Sequence, residues 1–166
     1  MYRSSTLSTI AAAGLALAAT TLSISPAVAV VPDSTSAINT DEQALALHGY
    51  DPVAYFTTGV PTRGDPKFAA THDGARYVFA SEANLAAFKA RPAAYLPQFG
   101  GFCAMGTSFG KKVDGDPTVW KIVDGKLYLN FNKDVGALWQ TDIAGNIGRA
   151  EAAWPAIKDK APSQLN

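Results

Sequence analysis

The chain has 166 residues, with 14 basic and 14 acidic side chains and two histidines, so its formal net charge is zero. That balance excludes the basic face that nucleic acid or an anionic lipid surface requires. A single cysteine excludes an internal disulfide.

Arg3 is the one charge ahead of the apolar run "LSTIAAAGLALAATTLSI", and "SPAVA" closes that run. Ala27-Val28-Ala29 has the small-x-small form that signal peptidase reads. The sequence therefore predicts a secretory signal over residues 1–29, cleaved after Ala29. No stop-transfer cluster follows, and no later segment is apolar and long enough to span a bilayer. The expected location is periplasmic or secreted, with no membrane after cleavage. Cleavage leaves 166 − 29 = 137 residues, the size of one domain. Without Arg3 the balance is 13 basic to 14 acidic, a net charge of −1.

Residues 30–44, "VVPDSTSAINTDEQA", are polar and small, and read as a flexible leader. The domain is expected over 45–160, with 161–166 as a tail. "DPVAYF" is apolar and aromatic between Gly49 and Gly59. "ARYVFA" follows His72-Asp73-Gly74 and reads as a strand after a turn. Ser81 is a candidate N-cap for a helix through "EANLAAFKA", broken at Arg91-Pro92. "TVWKIV" and "KLYLNF" around Asp124-Gly125 form a hairpin signal. From Lys133 the helical period runs through Val135, Leu138, Ile143, Ile147, Ala150 and Trp154. Gly136, Gly145 and Gly148 weaken it, so an interrupted helix is expected. Pro155 is placed to open a final turn. No internal repeat is evident. The sum is a small α+β domain of short antiparallel strands and hairpins, with a mid-chain helix and an interrupted C-terminal helix.

"GYDPVAYF", "YVFAS", "PAAYL", "GGFCAMG" and "GKLYLN" together resemble a YHS domain of the secreted bacterial type, over about residues 46–157. The resemblance implies a binding scaffold. Metal-associated YHS domains carry cysteines in motifs like Asp-Pro-Val-Cys and Phe-Cys-Ser-x-x-Cys. The matching positions here are Ala54, Ala80 and Asn84, so those three thiolates are absent. Any metal site must be built elsewhere.

Cys103 is the first candidate, in "GGFCAMGTSFGKK". Three readings stand. Cys103 and Met105 are soft donors that suit Cu(I), joined by His48, by His72 or by a second chain. A thiol nucleophile needs an adjacent base. A buried cysteine acts only as a small apolar residue beside a tight turn. The two histidines form no local metal motif with each other, and hydrogen-bonded turn positions suit both. Asp51 and Asp116, each before a proline, read as turn starters through Asx hydrogen bonds. Lys111-Lys112 matches no phosphate loop and reads as a solvated pair. Gly100, Gly101, Gly106 and Gly110 mark a loop that bends tightly or lies close to something. Trp120, Trp139, Trp154, Tyr50, Tyr55, Tyr77, Tyr95 and Tyr128 read as core, or alternatively as the lining of a cleft.

The expected function is a non-enzymatic binding module for a soft metal ion, copper, at Cys103 and Met105 with His48 or His72. The alternative is a metal-free module that takes a small molecule or a protein partner in an aromatic cleft. A thiol-dependent enzyme is the third.

Overall fold

The computed structural model describes residues 31–165. The signal segment and its cleavage point lie outside the described residues. Among those described, no helix is long and apolar enough to cross a membrane.

Two Asp-Gly turns organise the chain. Asp73, Gly74, Asp124 and Gly125 have φ of 48°, 77°, 49° and 72°. Positive φ at both central residues gives the twist that a two-residue hairpin needs. Strand β1 (Asp65–His72) folds onto β2 (Ala75–Phe79), and β3 (Asp116–Val123) onto β4 (Lys126–Asn130). Each pair is a separate two-stranded antiparallel sheet. The registers match: Ala69 faces Val78 in the first, Trp120 faces Leu129 in the second, and both outer strands slip just before that point.

The helices are short. α1 spans Ala54–Thr57 and α2 spans Glu82–Ala90. Ser81 caps α2, its hydroxyl accepting the Asn84 N–H at 3.2 Å. α3 spans Ala104–Ser108, α4 Lys133–Gln140 and α5 Ile143–Ile157. The α+β class is as expected, but the C-terminal segment is two helices. The break falls at Thr141-Asp142, because the Asp142 carboxylate caps a fresh helix through the Gly145 N–H at 3.0 Å. Gly136, Gly145 and Gly148 sit inside the helices, and Pro155 lies within α5 instead of opening a new turn.

The expectation of no internal repeat is overturned. A left-handed turn, a short helix, an Asp-Pro to Asp-Gly hairpin and a capped helix occur twice in the same order. Asp65 and Asp116, Asp73 and Asp124, and the caps Ser81 and Asn132 are each 51 positions apart. Leu47, His48 and Gly49 all have positive φ, as do Phe99, Gly100 and Gly101. The Asp51 N–H donates to the Thr62 carbonyl, and the Cys103 N–H to the Val113 carbonyl, both at 2.8 Å. Leu45 bridges Arg76 in parallel as Pro97 bridges Leu127. Few side chains are identical between the halves; the shared feature is where backbone hydrogen bonds go.

The halves share one core. Tyr77, Phe79 and Phe88 of the first pack with Leu127 and Leu129 of the second, all at most 1% exposed. Each such burial is worth about 1.5–3 kcal/mol. The Tyr55 hydroxyl donates to the Pro117 carbonyl at 2.9 Å, tying the first half to the second hairpin. A second cluster sets Trp139, Tyr128 and Phe99 against Ala150 of α5.

The leader expected to be flexible is packed. Asn39 is buried, and its N–H donates to the Gly100 carbonyl at 2.9 Å. Gly100 has φ of +62°, and a Cβ there would run into the Ala37 carbonyl, so the loop lies against the leader. The tail is held too: the Ser163 N–H donates to Pro32 O at 3.0 Å. Lys112 is the clamp. It is buried, not solvated, and its ammonium donates to the carbonyls of Ser36, Lys158 and Lys160 at 2.7, 3.1 and 2.8 Å. It also lies 4.8 Å from the Phe102 ring centre. Lys112→Met keeps the apolar stem and orphans three carbonyls. Urea unfolding should show a loss of about 2–3 kcal/mol. The Asn39 and Lys160 amides should also exchange faster; unchanged exchange there would remove Lys112 as the clamp.

Candidate functional site

The loop from Gly100 folds back on the second hairpin, where Cys103 bridges Leu129 beside the edge of β4. This makes Cys103 the N-cap of α3, with its sulfur accepting the Gly106 N–H at 3.3 Å. The thiol donates to the Asn130 side-chain oxygen at 3.7 Å. The same oxygen accepts the Met105 N–H at 3.2 Å. Asn130, 2% exposed at the end of β4, thus fixes both sulfur-bearing residues. Burial pushes the Cys103 thiol above its ordinary value near 9, and the Gly106, Phe131 and Met105 N–H groups oppose that without overcoming it. The thiol is therefore neutral at physiological pH. Neither the Asn130 amide oxygen nor the Gly106 N–H beside the sulfur is a base of the kind a nucleophile needs.

Cys103, Met105 and Gly106 line a groove of about 270 Å³ together with Val113 and Val135. Its rim is Phe109, Phe131 and Leu138, exposed by 68, 49 and 55%. Every lining residue is apolar. Only Val60 joins these three as a strongly exposed large hydrophobic among the described residues. Concentration of three on one groove is unlike the scattered single apolar residues of an ordinary surface.

The histidines do not join the sulfurs. His48 Nε2 lies 2.9 Å from Asp114 Oδ1, which also accepts from the Asn39 amide at 2.6 Å. His72 packs edge-on to Phe88, with ring centres 5.9 Å apart, and lines a different cavity beside α2. The expected four-residue set of Cys103, Met105, His48 and His72 is thus split. Among the described residues, no group of three or more His, Cys, Asp or Glu is placed to hold a metal ion. The aromatic cleft is corrected in composition: Tyr55, Tyr77, Tyr128 and Trp139 are core, and the groove has phenylalanine at its rim.

Asp51 occupies in the first half the place that Cys103 occupies in the second. It is fully buried, and its carboxylate accepts the Val53 N–H, the Ala80 N–H and the Asn84 amide at 2.8, 2.8 and 2.6 Å. The Asx turn expected of Asp51 is one part of this hub. Ala80 and Asn84 correspond, 51 positions on, to Phe131 and Val135, and both of these line the groove. Asn84 turns in to bond the acceptor, whereas Val135 has no polar group to offer the thiol. The groove lies beside that exchange, with Val135 in its lining where the first half has Asn84.

Sequence reasoning missed Asn130, Phe109, Phe131 and Leu138. A signal existed for two of them: Phe109 and Phe131 stand alone in the polar stretches "TSFGKK" and "NFNKD". Comparison of the chain with protein-family models, curated proteins and solved structures finds no match.

A buried neutral thiol reacts slowly. Iodoacetamide should modify native Cys103 at pH 8 at least a hundredfold more slowly than the urea-unfolded chain, with the native rate still climbing with pH where that of an ordinary thiol levels off. Asn130→Ala should raise the native rate at least tenfold by releasing the loop. Native modification as fast as unfolded would contradict the buried placement.

Proposed function

We propose that the chain is a non-enzymatic binding module whose groove over Cys103 takes a small, uncharged apolar molecule. One observation carries this reading. Where the first half has a buried carboxylate hydrogen-bonded by Asn84, the second has a groove with a wholly apolar lining. Ligand sites are concave and mostly apolar, and 270 Å³, just below their usual range, limits the occupant to a small molecule. Cys103 and Met105 give the floor soft, adaptable surface. A charged ligand would lose hydration with nothing in the lining to replace it. The scaffold is the YHS-like one that the motifs suggest, and a periplasmic or secreted location belongs to the same proposal.

A second reading is Cu(I) binding. Its support is that Cys103 and Met105, both soft donors, line the same groove. The ion would take the place of the thiol proton.

The uncharged fluorescent probe N-phenyl-1-naphthylamine tests the first reading. Saturable binding is expected, with Leu138→Lys weakening it at least tenfold while circular dichroism stays unchanged. Binding unaffected by Leu138→Lys would place the apolar site elsewhere and end the proposal. Cu(I) titration against a competing chelator, with Cys103→Ser alongside, separates the second reading. One-to-one copper binding lost in Cys103→Ser would favour the metal, and equal binding by both proteins would end that reading.

A further inference from the structure

A second cavity, lined by other residues, lies at the turn end of the second hairpin. About 450 Å³ of cleft opens between the Asp124-Gly125 turn and α5. Val123, Ile143 and Ile147 give it an apolar lining. Charges of both signs stand at its edge. Lys126 Nζ lies 3.6 Å from Glu151 Oε1, bridging hairpin and helix. Asp124 is the third charged lining residue. The Tyr128 phenol is pushed up by burial first, and then by Glu151 and Asp124, so both carboxylates act on the same spot. The cleft volume falls within the usual range for small-ligand sites, and a few polar groups around an apolar lining are their common form.

We infer that this cleft binds a small zwitterion with an apolar side chain, the chemistry of a free aliphatic amino acid. The charges assign the ends. Glu151 and Asp124 face an ammonium, Lys126 faces a carboxylate, and the side chain lies on Val123, Ile143 and Ile147. A ligand with only one charge would meet one of these groups as a like charge or leave it unmatched. A zwitterion meets both signs at once, and opens the Lys126–Glu151 pair without leaving either charge alone. The exposed pair costs little to open, because a surface ion pair in water is weak. Gly148 keeps the cleft accessible: a Cβ built on it meets nothing within 4 Å.

This site is separate from the groove over Cys103, and the two readings stand or fall independently. The test is calorimetric titration of the full chain with L-leucine, with 4-methylpentanoate and isoamylamine as the two half-ligands. Leucine should bind, and each half-ligand should bind at least tenfold more weakly. Glu151→Gln and Lys126→Gln should each weaken leucine at least fivefold. Gly148→Leu fills open space on a helix and should leave the fold intact while weakening leucine at least tenfold. Leu138→Lys, on the other groove, should leave leucine binding unchanged. Absence of leucine binding, equal binding of either half-ligand, or full binding by Gly148→Leu would each overturn the inference.

Discussion

Everything at the candidate site depends on how the free N–H groups at the start of a short helix are satisfied. A helix of four or five residues has almost no hydrogen bonds of its own, so its first N–H groups need an outside acceptor. In the first half that acceptor is the Asp51 carboxylate, which gathers three donors, from the N-cap of α1, from the residue after β2 and from α2. In the second half it is a weaker pair, the Cys103 sulfur and the Asn130 oxygen. Both arrangements lock a short helix to the end of a strand. They differ in charge. A buried carboxylate demands strong donors around it, and so draws Asn84 inward. A buried thiol makes no such demand, so apolar Val135 and Phe131 are tolerated beside it.

That difference explains why the two halves diverge in shape. The first half is sealed by the chain itself, because the hub must be fully hydrogen-bonded to be buried at all. The second half carries no charge at its hub and is left with an apolar recess. Exposed Phe109, Phe131 and Leu138 then surround the recess instead of scattering. Such side chains gain nothing from water. An occupant that covers them recovers the hydrophobic contribution that folding alone leaves unused.

Local chemistry was legible in the sequence; distant partners were not. Asp73-Gly74 and Asp124-Gly125 mark the turns because a type I′ turn needs positive φ twice in succession. Ser81 marks the start of α2 because its hydroxyl acts three residues away. By contrast, Lys112 reads as a surface lysine until Ser36, Lys158 and Lys160 are brought to it from both ends of the chain. The leader reads as flexible for the same reason: the groups that hold Asn39 and Ser36 lie more than sixty positions on. Cys103 likewise stays ambiguous until Asn130 arrives from 27 residues away. The repeat is hidden because its halves conserve backbone hydrogen bonds and exchange the side chains, aspartate for cysteine and asparagine for valine.

The histidines show how residue type alone misleads about chemistry. His48 lies in a left-handed turn at the edge of the same loop cluster as Cys103, with φ of 50°. Its ring faces Asp114, and through Asp114 it is joined to Asn39 of the leader. That places it in the set of contacts that hold the leader down, next to the Lys112 clamp, and not in the groove lining. A residue in positive φ persists only when its surroundings hold it there. For His48 the holding groups are the Asp114 carboxylate and Arg63, whose guanidinium donates to the His48 carbonyl at 2.6 Å. The left-handed turns, the leader and Lys112 therefore form one structural unit. That unit anchors the Cys103 loop at Gly100 and at Lys112, and leaves Phe109 between those anchors open to solvent.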